Sequence, residues 1–372
     1  MHRWCLQEGK NISNFRLVTK AKSLLLFATS LSLIPSLLLG IIFTFYSSSA
    51  RAIDALNPQL NIPLNNGTLG EPREEADVLV RLGGQAQQQG RLEKAISYWL
   101  QALSIYQRIG EDRGIGLTYD FIGLAYGRLG RYREAEDALR RRLAVARDLK
   151  DFQGQIYGLN NVGTVLLQSG NLPAAQTTFR EALAIARSVK NIAGEGLSLS
   201  NLALVLAGLG DYNQAIKQYE IALALRLQAR DPLAETNTRN NLADAYRAIG
   251  RYEDALNSYR VALEVATEAR DRAGQFRAYD GLAVSYSAVK KYDLAFKALD
   301  GRIALARLDQ NLLEELRSLR LYAQLYQVNG HYGTARDFYE RAIAITRSLG
   351  DVQQEALLIN ELDQIRYQRV SR

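Results

Sequence analysis

Three asparagine residues recur at intervals of forty residues, at Asn161, Asn201 and Asn241. Each lies within an apolar, helix-forming stretch, although asparagine favours caps and turns over helix interiors. A carboxamide carries both a hydrogen-bond donor and an acceptor, which is what a peptide unit needs from a partner. The spacing therefore predicts either a hydrated surface or a site that binds a ligand.

Further polar residues share this predicted helix face, and their charges are mixed in sign: Asn160, Asn240, Asp244, Arg247, Arg277 and Asp280. Such a lining suits a peptide or an unfolded segment better than a lipid or a polyanion. Two arginines, Arg142 and Arg302, stand where five equivalent positions hold alanine. They predict either loosened packing with the arginine stem extending outward or a guanidinium that binds a partner's carboxylate.

Residues for catalysis or metal binding are scarce. The chain has one cysteine, Cys5, and two histidines, His2 and His331. Adjacent acids such as Glu314 and Glu315 point to different sides of a helix, so they cannot share a proton in one cleft. The sequence therefore predicts a protein that is not an enzyme and that takes no metal and no cofactor.

The net charge of +7 is concentrated at the amino terminus. Residues 1–52 contain six Lys/Arg and one acid, which leaves 40 basic and 38 acidic residues in 53–372. A nearly neutral body lacks the basic footprint of a nucleic-acid-binding domain. The sequence therefore predicts no nucleic-acid partner.

The amino terminus contains a long apolar segment. Residues 23–46 carry no charge and follow a basic segment, residues 1–22. Such a run can span a bilayer as a helix, and the excess of Lys/Arg ahead of it orients the amino terminus toward the cytoplasm. Residues 23–46 are therefore predicted to be a single-pass anchor or, if cleavage occurs near Ala52, a signal sequence. Residues 47–72 then form a linker, and the body is extracytoplasmic, as an anchored, secreted or periplasmic protein.

A forty-residue frame runs from Glu71 to the end of the chain. Glycine ends one predicted helix of the frame, at 90, 130, 170, 210, 250 and 330, because it adopts the left-handed conformation readily. Asp or Asn begins the other, as an N-cap, at Asp151, Asn191, Asp231, Asp271, Asn311 and Asp351. With helical spacing of apolar residues in each half, residues 73–351 are predicted to form seven helix pairs and 352–372 a capping helix.

Small and aromatic residues alternate within the second half of the frame, as in Ala95-Trp99-Ala102, Ala175-Phe179-Ala182 and Ala215-Tyr219-Ala222. With these motifs the sequence resembles the tetratricopeptide repeat (TPR) proteins over roughly 73–372. Its period is forty rather than about 34, as in Pins/LGN-type and kinesin light chain-type scaffolds. The resemblance implies an all-α fold: a right-handed α-solenoid of seven helix-turn-helix repeats with a C-terminal capping helix, preceded by an N-terminal hydrophobic helix.

The resemblance also implies a function. In TPR scaffolds the first helices of the pairs line a concave groove, and asparagine at this position binds the backbone of an extended partner. We therefore expect a scaffold that captures protein or peptide segments through the asparagines and charged residues named above, with membrane attachment through 23–46. The alternative is a structural protein that self-associates, in which the groove binds a sister chain of a homo-oligomer.

Overall fold

The structure, a computed structural model, describes residues 70–370. These residues form fifteen α-helices and no β-strand. The helices are α1 Gly70–Gln88, α2 Leu92–Ile109, α3 Asp112–Arg128, α4 Tyr132–Asp148, α5 Phe152–Gln168, α6 Leu172–Ser188, α7 Ile192–Gly208, α8 Tyr212–Ala229, α9 Pro232–Ala248, α10 Tyr252–Glu268, α11 Arg272–Ala288, α12 Tyr292–Leu308, α13 Leu312–Val328, α14 Tyr332–Leu349 and α15 Val352–Val370. The all-α prediction is confirmed for the described residues.

The recurring polar residues begin helices as predicted. Asp151 accepts a hydrogen bond from the Gly154 amide at 2.9 Å, and Asn191 accepts one from the Gly194 amide at 2.8 Å. Each cap satisfies one amide that the first helical turn leaves without a partner. Glycine at the recurring helix ends adopts positive φ, for example 74° at Gly130. These two signals explain why helix boundaries follow the forty-residue frame.

Small residues on the first helix of a pair admit a large ring from the second. A Cβ added at Gly163 would overlap the ring of Phe179, and one added at Gly83 would overlap the indole of Trp99. Both rings are buried, and the Trp99 Nε1 donates a hydrogen bond to the Val80 carbonyl at 3.2 Å. The alternation of small and aromatic residues therefore sets the close approach of the two helices in a pair.

Neighbouring glycines in α1 give a direct test of this packing. Gly83→Ala is expected to destabilise the protein by about 1–3 kcal/mol, because the new methyl group overpacks the Trp99 pocket. Gly84→Ala is expected to stabilise it by about 0.5–1 kcal/mol, because a Cβ there meets no atom within 4 Å and alanine is the better helix former. Urea denaturation of both variants measures the difference. An equal response at the two positions would contradict the packing argument.

The first helices of successive pairs lie closer together than the second helices do. Direct packing joins α3 to α5, α5 to α7, α7 to α9 and α9 to α11, and second helices of the described array make no comparable contacts with one another. A shorter spacing on one side curves a stack of repeats toward that side. We call the surface formed by α3, α5, α7, α9 and α11 the first-helix face; it is the concave side of the array.

The structure corrects the predicted localisation. Among residues 70–370, no helix is both long enough and apolar enough to cross a bilayer. The helices of the array are amphipathic, with one face packed in the stack and one exposed. The predicted hydrophobic helix at 23–46 lies outside the described residues. A single-pass anchored topology therefore has no support in the structure.

Candidate functional site on the first-helix face

Two of the predicted site residues are internal connectors. Asn160 is 1% exposed; its Nδ2 donates to the Ile156 carbonyl at 2.8 Å and to the Ser198 Oγ at 3.0 Å. Asn240 is 0% exposed, and its Nδ2 lies 3.4 Å from the Gly274 carbonyl. Both side chains point toward the next first helix. The structure therefore places them in the contacts that join successive repeats, and their role in binding a partner stays a prediction.

The three asparagines at forty-residue spacing are also buried, with 5%, 8% and 9% exposure at Asn161, Asn201 and Asn241, and each uses one end of its carboxamide within the protein. Asn201 donates from Nδ2 to the Oδ1 of Asn160 at 2.8 Å. Asn161 donates from Nδ2 to the Oδ1 of Asp120 at 3.3 Å. Asn241 accepts at Oδ1 from the Nη2 of Arg277 at 2.5 Å. These bonds link consecutive first helices and hold each carboxamide in a fixed orientation.

The other end of each carboxamide is not used by the described part of the chain. Asn161 Oδ1 has no hydrogen-bond partner. No hydrogen bond within residues 70–370 involves Asn201 Oδ1 or Asn241 Nδ2. Two acceptors and one donor are therefore held in a row of fixed positions along α5, α7 and α9 without a partner in the described part of the chain, and the Asn161 acceptor is buried. Buried polar groups without a partner favour a ligand or water that completes their bonds.

A charged cluster borders this row at α9 and α11. Asp244 accepts hydrogen bonds from the Tyr259 hydroxyl, from Arg277 Nη2 at 2.6 Å and from Arg247 Nη2 at 3.3 Å. Burial acts to raise the pKa of Asp244, but the charges of Arg277 and Arg247 and the hydrogen bond from Tyr259 outweigh it and lower that pKa. Two guanidinium groups thus share one carboxylate, which leaves an excess of positive charge on this part of the face.

The two anomalous arginines are bound by the chain itself. Arg302 is 1% exposed; it pairs with Asp280 and with Glu314 at 2.8 Å, and its Nη1 donates to the Ser318 Oγ at 2.6 Å. Arg142 pairs through Nε with Asp120 at 2.9 Å. Both predictions for Arg142 and Arg302 are therefore corrected. The carboxylates that pair with these arginines belong to the chain itself, and neither stem extends outward. Asp280 serves as an internal counter-ion as well.

The structure thus joins some of the predicted residues and separates others. Hydrogen bonds join Asn241, Asp244, Arg247 and Arg277 into one cluster, and Asn201 and Asn161 hold the position of Asn241 one and two repeats earlier, whereas Asn160, Asn240, Arg142 and Arg302 connect helices within the stack. Sequence analysis missed Asp120 and Tyr259, which hold Asn161 and Asp244 in place. Within residues 70–370, no group of His, Cys, Asp or Glu has the arrangement of a metal site.

Comparison with known proteins supports the fold. A family model described as tetratricopeptide repeat matches residues 74–148, 155–228 and 194–268, which together cover slightly more than half of the chain. No curated protein matches the sequence. Among solved structures, the apo form of the quorum sensor NprR from B. thuringiensis is similar over 82% of this chain and 86% of its own, with 18% identity and a TM-score of 0.55.

Two Rap proteins give the same level of similarity. A Rap protein complexed with Competence and Sporulation Factor matches 74% of this chain and 76% of its own, with 17% identity and a TM-score of 0.55. The apo form of RapI matches 74% of this chain and 99% of its own, with 14% identity and a TM-score of 0.55. At these identities the similarity concerns the fold.

Proposed function

Because the chain belongs to the tetratricopeptide repeat family, we propose that it is a protein-binding scaffold whose first-helix face captures an extended protein segment. The observation that carries the proposal is the row of three carboxamides, each oriented by one internal bond and each with one end unused. A binding role agrees with the solved complex between a Rap protein of this fold and Competence and Sporulation Factor.

The spacing of the row suits an extended chain. Packed helices lie about 8–10 Å apart, and an extended strand rises about 3.3 Å per residue. One repeat therefore corresponds to about three residues of a bound segment, and the row from Asn161 to Asn241 spans about six. A segment of this kind offers both carbonyl and amide groups, which match the unused donor of Asn241 and the unused acceptor of Asn201.

Asn241→Asp tests the proposal with an isosteric change. The aspartate keeps the acceptor that binds Arg277 and removes the unused amide donor, so the fold is expected to be retained. A bound carbonyl would lose its donor at a cost of about 1–3 kcal/mol, so linear peptides selected from a random displayed library on the full-length protein should bind about tenfold more weakly.

Asn171→Asp is the matched control. Asn171 is the exposed N-cap of α6, where asparagine and aspartate cap equally well, and the substitution adds the same charge away from the first-helix face. This variant should bind the selected peptides as the wild type does. Equal affinity of the two variants, or a library that yields no peptide, would contradict the proposed function.

A further inference from the structure

Helix α8 carries a buried arginine that sequence analysis did not single out. Arg226 is 5% exposed. The equivalent positions of four other frames hold buried alanine: Ala146, Ala186, Ala266 and Ala306. A charge at such a position loses its hydration, so the surrounding structure must compensate it.

Other arginines on second helices obtain this compensation from carboxylates, and Arg226 does not. Arg142 pairs with Asp120, and Arg302 pairs with Asp280 and Glu314. Arg226 has no ion pair within 4.0 Å among the described residues. Its Nη1 donates to the Ala193 carbonyl at 3.0 Å, and its buried Nε has no hydrogen-bond partner.

The charged groups around Arg226 do not supply the counter-ion that it lacks. Burial lowers the pKa of Arg226, although the charge of Asp231 acts in the opposite direction. Asp231 already serves as the N-cap of α9, where its Oδ1 accepts from the Ala234 amide at 3.0 Å. The C-terminal turn of α8 and the Ala193 carbonyl supply only partial negative charge.

The guanidinium lies at the first turn of α7, where its Nη1 binds the Ala193 carbonyl. The Arg226 stem packs against Gly196 of α7, where an added Cβ would lie 3.4 Å from its Cδ. The frames on either side hold Ile156 and Thr236 at that position, so the glycine of α7 makes room for the arginine. Tyr157, which interacts electrostatically with Arg226, lies one helical turn before Asn161. The unpaired cation therefore lies at the amino-terminal end of α7, which is one of the helices of the proposed binding face.

We infer that Arg226 is a subsite for a carboxylate of the bound segment, an Asp or Glu side chain that enters between α5 and α7. The inference rests on the proposed function of the first-helix face. A carboxylate supplies the missing counter-ion in a place where water screens the pair little, so the ion pair is strong. A single guanidinium suits a monovalent carboxylate, whereas recognition of phosphorylated segments uses clusters of arginines.

Arg226→Met is the diagnostic variant, because methionine fills the space of the stem without a charge. It is expected to fold with an unchanged or higher thermal midpoint, as alanine at the equivalent positions suggests. The probe is N-acetyl-glutamic acid α-amide, with the corresponding glutamine compound as the neutral control. The acidic probe should raise the midpoint of the wild-type full-length chain and leave that of Arg226→Met unchanged, and the neutral probe should change neither.

Arg91→Met removes the same charge at an exposed position outside the face and should keep the wild-type response. An equal midpoint shift in Arg226→Met and the wild type, no shift in the wild type, or an equal response to the neutral probe would overturn the inference.

Peptides from the displayed library separate this inference from the proposed function. Replacing one Glu or Asp of a selected peptide by its amide should weaken binding to the wild type about tenfold, the magnitude of a close charge pair, and should hardly affect binding to Arg226→Met. Selected peptides without this coupling would overturn the carboxylate subsite and leave the proposed function intact. A probe response that depends on Arg226, together with a library that yields no peptide, would support the subsite and contradict segment capture.

Discussion

Replacing Arg302 by methionine is expected to lower the free energy of unfolding by about 3 kcal/mol or more. Burial acts to lower the pKa of Arg302, but Asp280 and Glu314 outweigh it and raise that pKa, so the guanidinium is charged in the folded protein. Removing it leaves the two carboxylates without their counter-ion. Two acceptors also lose their donor, Nη1: the Glu314 carbonyl at 2.8 Å and the Ser318 hydroxyl at 2.6 Å. Loss of one partner from a buried pair is costly because the other charge stays desolvated.

Arg226→Met is the matched control for this prediction. The same substitution, also on a second helix, removes a guanidinium that no carboxylate of the described chain pairs with. The two variants should therefore differ by several kcal/mol in urea denaturation followed by circular dichroism. An equal loss of unfolding free energy in the two variants would mean that the carboxylates of Asp280 and Glu314 are solvated in the folded protein. The ion cluster around Arg302 would then not stabilise α11 to α13.

The forty-residue frame was enough to predict the helices, because caps and helix ends are local. The predicted N-caps at Asp151 and Asn191 and the left-handed glycines are present. The frame could not show that Lys190 and Lys290 also adopt positive φ, at 55° and 59°. The cost of that conformation for a long polar side chain is small enough for the surrounding stack to impose it.

The candidate site was predicted only in part, because sequence period does not give the rotation of one helix against the next. Asn160 and Asn161 differ by about 100° around the helix axis; both are buried, but Asn160 binds the following first helix and Asn161 the preceding one. A signal for the internal ion pairs did exist. Arg142 and Arg302 each have an aspartate 22 residues earlier, at Asp120 and Asp280, and this repeated separation indicates a pair across two helices.

Deleting residues 191–230 is expected to leave a soluble, cooperatively folded protein, whereas deleting 191–210 is not. The longer deletion removes α7 and α8 and joins Lys190 to Asp231. It keeps the left-handed residue followed by an N-cap, since Asp231 caps the Ala234 amide at 3.0 Å as Asn191 caps Gly194 at 2.8 Å. Repeats contact mainly their neighbours, so removal of one whole frame restores an equivalent interface.

The new interface has equivalent partners for the residues that lose theirs. Asn160 binds Asn201 and Ser198 in the present structure, and after the deletion Asn241 and Thr238 occupy the same frame positions. The shorter deletion joins Lys190 to Asp211, which is also an N-cap, at 3.1 Å from the Gln214 amide. It preserves the turn chemistry but places the second helix α8 directly after the second helix α6.

Because both deletions keep a left-handed residue followed by a cap, local structure cannot account for a difference between them. The difference must come from the alternation of first and second helices. Without α7, the buried face of α8, which includes Tyr219 and Arg226, has no first helix to pack against. Arg226 also loses the Ala193 carbonyl to which it donates. Light scattering and thermal unfolding followed by circular dichroism distinguish a folded monomer from an aggregate. If both variants fold, or neither does, the helix pair is not the unit on which the stability of this array depends.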